Sequence, residues 1–200
     1  MADLDLKGGI FTAGSLVVPG LNLATNFLPV ANPKANERFG TTAGTVSTTA
    51  MVLNFEYATP IVIPVARTLI EISIKVTTNV ATSVIRLGIR NDDGSGNLWP
   101  GSVLLDAGTV DSATSTGIKT ITISQDVTPG LYWLCAVAQT AAPTVTSITG
   151  GIINLPSSAA DPFLAAFTGY GASGITGALG AWGGARTGNS ACPRVIVQAS

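Results

Sequence analysis

The chain contains no histidine, and only 10% of its 200 residues are charged. Threonine, with 25 residues, outnumbers the 10 basic and 11 acidic residues together, whereas roughly a quarter of an ordinary soluble domain is charged. The absence of histidine excludes a Ser-His-Asp triad and removes the side chain most used for acid–base chemistry near neutral pH. The shortage of charge favours a protein that buries part of its surface against other subunits. Together they favour a structural protein over an enzyme.

Three further absences limit the partners. No run of Lys or Arg exists and the net charge is −1, so no binding to nucleic acid is expected. No stretch of about 18 apolar residues exists that could cross a membrane. The first residues are acidic and are soon followed by Gly8 and Gly9, unlike a secretory signal. We therefore expect folding in a cytoplasm, no membrane partner and no cofactor.

Cysteine is also scarce, with Cys135 inside a strand pattern and Cys192 just before another. Two separate buried thiols are the favoured interpretation, because a cytoplasm is reducing. A disulfide between neighbouring strands is the alternative. Two cysteines without histidine make a zinc site in one chain a poor hypothesis, so no metal is expected there.

What the chain has instead is the composition of β-structure. Thr, Val and Ile favour strands, while 23 glycines and 11 prolines supply turns. Period-2 alternation is clearest over 67–78 and recurs over 84–90, where Ile85, Leu87 and Ile89 are expected inward and Arg86 and Arg90 outward. Residues 131–137 are apolar on both faces, which indicates a central strand. Strands are predicted to begin near residue 49, with alternation over 51–56, and further strands are predicted over 61–63, 103–110, 118–124, 144–153 and 194–198.

These segments predict an all-β fold. Seven to nine short strands separated by turns, without an amphipathic helix, indicate an antiparallel sandwich. A jelly-roll-like arrangement fits better than an immunoglobulin-like one, which usually has a Cys…Trp…Cys pattern. Residues 46–200 are assigned to this sandwich.

Two regions lack a strand or helix period. Residues 1–45 mix Gly, Ala, Thr and Asn with short apolar patches, and we interpret them as an extended N-terminal arm ordered by contact with another molecule. Residues 156–190 are rich in Gly and Ala and form a predicted loop region within the sandwich. A long irregular stretch in a compact domain usually has a task.

Aromatic residues in and near these irregular regions are the candidate contact residues. They are Trp99, Phe163, Phe167, Tyr170 and Trp182. Exposed aromatics more often mark a protein interface than a sugar platform, so an interface is favoured and a glycan contact is the alternative. Trp133 is expected in the core.

Two groups of oxygen-bearing side chains could bind a cation or catalyse hydrolysis, but both are also typical of ordinary turns. Residues 91–97 place Asn91, Asp93, Ser95 and Asn97 at alternate positions, but the spacing does not match a full calcium loop and an ordinary turn is favoured. Asp92, Asp93, Asp106 and Asp111 include possible carboxylate pairs for glycoside hydrolysis, yet Asp is common in turns. No catalytic residue is assigned.

Residues 91–139 resemble a module of tailed-bacteriophage virion proteins, among them head fibres, head decoration proteins and tail-fibre segments. The resemblance is carried by turns and strand starts: Asn91–Gly94, Pro100–Leu105, Gly108–Asp111 and Pro129–Leu134. It implies a virion component with a jelly-roll-like domain, often trimeric, assembled in the host cytoplasm. The implied partners are other copies of the chain and the major capsid protein or other virion proteins.

The leading hypothesis is therefore a capsid-associated decoration, cement or short head-fibre protein that acts by subunit–subunit binding. The chain is short for a complete tail fibre and has no evident coiled coil or β-helical repeat. The alternative is a receptor- or carbohydrate-binding module of a tail fibre, with Trp99, Trp182 and residues 91–97 lining its site.

Overall fold

The computed structural model describes residues 33–41, 44–95, 98–150, 167–182 and 187–200. Its strands are β1 (Arg38–Gly40), β2 (Thr45–Ala50), β3 (Phe55–Ile63), β4 (Arg67–Thr78), β5 (Val84–Asp92), β6 (Pro100–Asp111), β7 (Gly117–Val127), β8 (Gly130–Gln139), β9 (Thr144–Thr149), β10 (Gly169–Ser173), β11 (Thr187–Asn189), β12 (Ala191–Pro193) and β13 (Val195–Ala199). None of the described residues forms a helix.

The strands form two antiparallel sheets. Sheet I has the order β1-β13-β4-β9-β12, with β7 paired to β4 and β2 paired to β9; sheet II has the order β11-β10-β3-β8-β5-β6. This confirms the prediction of an all-β, antiparallel, jelly-roll-like sandwich. The late strand β13 returns to pair with the early strands β1 and β4.

The core lies between the sheets and follows from the period-2 pattern. Ile72, Ile74 and Val76 of β4 are buried, as are Ile85 and Leu87 of β5, all at 2% exposure or less. They belong to one apolar cluster built mainly from Val, Ile, Leu and Ala. The side chains on the inner faces of the two sheets pack against each other and exclude water from the space between the sheets.

Strand β8 is central in sheet II, between β3 and β5. Leu134 and Ala136 face the core between the sheets, whereas Trp133, Cys135 and Val137 belong to a second apolar cluster on the opposite face. The prediction that this strand is covered on both faces is confirmed.

Several boundary predictions are wrong. The strand predicted from near residue 49 through 56 is not one strand: β2 ends at Ala50, and β3 runs without interruption from Phe55 to Ile63 through Pro60. Asn54 has a positive φ of 57°, which redirects the chain between the two strands. The region 156–190 is not wholly irregular, because it contains β10 and β11.

The predicted arm over 1–45 lies mostly outside the described residues. Its described part contains β1, whose Phe39 lies opposite Val197 of β13, and the first residue of β2. Sheet I therefore includes residues that the sequence analysis assigned to the arm.

Candidate functional site

A second apolar cluster covers the face of sheet II that points away from sheet I. We call it the outer cluster. Its buried members are Ala58, Trp133, Cys135, Val137, Tyr170 and Leu179, and its partly buried members are Leu98, Trp99, Val103, Leu131, Phe167, Ile175 and Trp182. Residues 174–182, which follow β10 and have no regular structure, are bonded to side chains of this sheet and help to shield its outer face from water.

A buried ion pair lies beneath the outer cluster. Arg90 of β5 and Glu56 of β3 are both fully buried, and Arg90 donates from Nε and Nη2 to the two carboxylate oxygens at 2.7 and 2.8 Å. Arg90 also donates to the carbonyls of Gly101 and Gly180. A buried charge needs such complete pairing, because its desolvation costs several kcal/mol.

Residues 174–182, which we call the strap, are held onto sheet II through their backbone. Gln139 donates to the carbonyl of Gly177 at 2.7 Å, and Asp106 accepts from the N–H of Leu179 at 3.0 Å. Nη1 of Arg86 in turn donates to both carboxylate oxygens of Asp106. Polar side chains of β5, β6 and β8 therefore fix the position of a segment without regular structure.

Electrostatics at Asp106 favours its charged form. Burial raises its pKa, but the bond from Arg86 and the N–H groups of Leu179 and Gly108 outweigh burial, so the pKa lies below its usual value. A general acid for glycoside hydrolysis needs a raised pKa. Asp106 is therefore suited to holding the strap rather than to donating a proton.

The strap and the start of β6 enclose an open cleft of about 460 Å³. It is lined by residues 100–103, residues 179–182 and Asp93. The guanidinium of Arg90 lies 5.1 Å from the ring centroid of Trp182, a cation–π contact. The Nε1–H of Trp182 is buried and finds no acceptor within the described residues.

The structure brings four of the five predicted contact residues together. Trp99, Phe167, Tyr170 and Trp182 all belong to the outer cluster, while Phe163 lies outside the described residues. Tyr170 is only 3% exposed and packs against Trp133 with ring centroids 5.7 Å apart. Of the four, only Trp182 lines the cleft.

Sequence reasoning placed Arg90 on a wet face, and this prediction is wrong. Alternation correctly placed the side chains of Arg90 and Ile89 on different faces of β5. The strap covers the outer face of this strand, however, so Arg90 is fully buried. The neighbouring strand β8 offered a signal that was missed. Because β8 is apolar on both faces, some other segment of the protein had to cover the outer face of sheet II, where Arg90 also lies.

The residues around Asp92 and Asp93 form a turn that uses both carboxylates. Asp92 accepts from the N–H of Gly94 and from Nε1–H of Trp133, and Asp93 accepts from both the N–H and the hydroxyl of Ser95. The bonds from Gly94 and Ser95 are those expected of Asx-type turns, whereas the bond from Trp133 connects this turn to β8. Asn97 lies outside the described residues.

The two cysteines are buried thiols without a disulfide, which confirms the favoured interpretation. Burial raises the pKa of Cys192 to about 12 and raises that of Cys135 well above its usual value. Such thiols remain protonated at neutral pH and are poor nucleophiles.

A second candidate surface is the open edge of β2. Within the described residues, β2 pairs only with β9. It has no charged residue, no proline and no register shift against β9. Val46 of β2 is 57% exposed. Val52 and Leu53, which follow the end of β2, are 56% and 45% exposed.

The other edges described here are protected by recognised devices. β1, β11 and β12 have three residues each. β6 begins at Pro100 and pairs with β5 through several register shifts, and β7 carries Lys119 and Asp126. Natural sheets blunt their edges by short length, charge, proline or bulges, so β2 is the exception.

Comparison with known proteins adds no assignment. No protein-family model matches the chain, and a search of curated proteins finds no significant relative. The described residues contain no helix that could span a membrane.

Proposed function

We propose that the protein is a structural component of a tailed-bacteriophage virion, a capsid decoration, cement or short head-fibre protein that acts by subunit–subunit binding. The observation that carries the binding role is the β2 edge, a neutral strand of six residues of which all but Thr49 are exposed. Its outward backbone groups offer a template for another strand.

The virion setting rests on the resemblance of residues 91–139. That segment contains β6 and β7 entirely, together with the end of β5 and all of β8. The low charge of the chain supports the same setting, since a surface that is buried on assembly does not need to remain hydrated.

Immunogold electron microscopy of virions from the phage that encodes the chain tests this proposal. Antibody against the sandwich is expected to label intact particles on the head, and antibody absorbed with purified protein serves as the control. Intact particles that carry no label and none of the chain by mass spectrometry would contradict the virion role.

The cleft supports a second candidate function, the binding of a glycan by a tail-fibre module. Ligand sites combine apolar or aromatic walls with a few polar groups that fix orientation, and here Trp182, Asp93 and Ser102 line one cleft. NMR titration with neutral oligosaccharides tests it. Replacing Trp182 with Ala should abolish shifts that survive Trp99→Ala, because Trp99 does not line the cleft.

A further inference from the structure

The hydrogen-bonding direction of each β2 residue follows from one contact beyond its end. Met51 donates from its N–H to the carbonyl of Pro143 at 2.9 Å, and the β2–β9 register, in which Ala50 lies opposite Thr144, places these two residues opposite each other. Opposed residues that bond directly alternate with residues whose groups point away. Thr45, Ser47 and Thr49 therefore bond to β9.

The remaining β2 residues direct their N–H and carbonyl groups to the open edge. These are Val46, Thr48 and Ala50. Their side chains also share one face of sheet I, because side chains alternate along a strand. The edge thus offers three evenly spaced pairs of backbone donors and acceptors.

We propose that two copies of the chain join through this edge, with the β2 strands antiparallel about a two-fold axis at Thr48. This inference rests on the proposed subunit-binding function and names the partner as a second copy. Thr48 lies opposite Thr48 of the second copy, and Val46 lies opposite Ala50. Every outward backbone group of β2 then has a partner, and sheet I continues from one subunit into the next.

The composition of β2 favours a second copy over a different partner. A two-fold contact sets each strand against itself, so any charge near its centre would face a like charge. β2 has none, and the opposed pairs are Thr with Thr, Val with Ala and Ser47 with Thr49. Opposed threonines and branched residues are favourable cross-strand pairs. A partner of different sequence would not require this neutrality.

The symmetry fixes the stoichiometry of this contact. A two-fold contact is self-complementary and closes as a dimer. The trimer that the resemblance implies would need a different surface. Dimer or higher even-numbered species are therefore expected when β2 is the surface used.

Opposite charges at Thr48 provide the sharpest test. Analytical ultracentrifugation of the full chain is expected to show a dimer, and Thr48→Lys and Thr48→Glu are each expected to raise the dimer Kd at least tenfold. Mixing the two variants should restore dimerisation, because only a residue at the two-fold faces itself. The matched controls are Thr120→Lys and Thr120→Glu on the exposed face of β7, which should leave the dimer unchanged.

A second variant covers the case in which charge at Thr48 disturbs folding. Thr48→Cys should form an intermolecular disulfide on mild oxidation, whereas Ile118→Cys, 66% exposed on β7, should not. A monomeric wild-type chain at high concentration, or a dimer that the Thr48 variants leave intact, would overturn the inference. Gold-labelled virions would still support the proposed function in that case, and a dimer absent from virions would overturn only the function.

Discussion

At the scale of single residues, Arg90 and Glu56 form an ion pair in which both side chains are fully buried. Replacing Glu56 with Ala leaves the guanidinium of Arg90 buried and uncompensated, so we expect a loss of about 3–5 kcal/mol in the free energy of unfolding. The double variant Glu56→Leu, Arg90→Met should lose much less. Urea unfolding of the three proteins measures both effects.

The exposed pair of Arg38 and Glu71 is the matched control for this experiment. It has a short contact of 2.8 Å, but the Arg38 side chain is 53% exposed. Water and salt screen such a pair, so Arg38→Ala should change stability little. Equal losses for Arg38→Ala and Glu56→Ala would contradict the importance of burial.

Asp106 predicts a pH dependence whose sign follows from its lowered pKa. A carboxylate with a folded pKa below the unfolded value of about 4 stabilises the protein above that value and loses the effect as pH falls through the folded pKa. Asp106→Asn should therefore be less stable than the wild type at pH 7. Thermal unfolding from pH 7 to pH 2 should show the two Tm values converging below about pH 4; a constant gap would contradict this role.

At the scale of elements, β10 packs so closely against β3 that a methyl group cannot fit. A Cβ at Gly169 would collide with the carbonyl oxygen of Ala58, whereas a Cβ at Gly177 of the strap would meet nothing within 4 Å. Gly169→Ala should cost about 1–3 kcal/mol because backbone must move. Gly177→Ala should stay within about 0.5 kcal/mol, as measured by chemical unfolding.

The elements also show what the sequence could predict. Strands β4, β5 and β7 were found because each runs for nine residues or more, long enough for alternation to be visible, and β8 was found because it is apolar on both faces. β10 and β11 were missed because three to five residues rich in Gly carry no period. The split between β2 and β3 was missed because alternation of Met51, Leu53 and Phe55 imitates one strand.

The candidate site was predicted in part for the same reason. Composition identified Trp182 and Phe167 as candidate contact residues, because they are large aromatic residues in a segment that is otherwise rich in Gly and Ala. It could not identify Arg90 or Gln139, because their roles depend on backbone carbonyls of the strap, which only the folded chain brings near. Long-range contacts of this kind leave no local pattern.

At the scale of the whole molecule, the outer face of sheet II and the β2 edge of sheet I differ in their exposure to water. The outer face of sheet II is closed by the strap and the outer cluster, while the neutral strand β2 of sheet I pairs on one side only among the residues that the structure describes. Among the described strands, β2 is thus the edge without a protective device, and the proposed assembly depends on it.

Residue-resolved amide hydrogen exchange of β2 tests this account most directly. At concentrations where wild-type chain is dimeric, the N–H groups of Val46, Thr48 and Ala50 should exchange slowly, and in dilute solution or in Thr48→Lys they should exchange rapidly. The N–H groups of Ser47 and Thr49, bonded to β9, should be protected in both states. Rapid exchange at Val46, Thr48 and Ala50 at every concentration would contradict assembly through this edge.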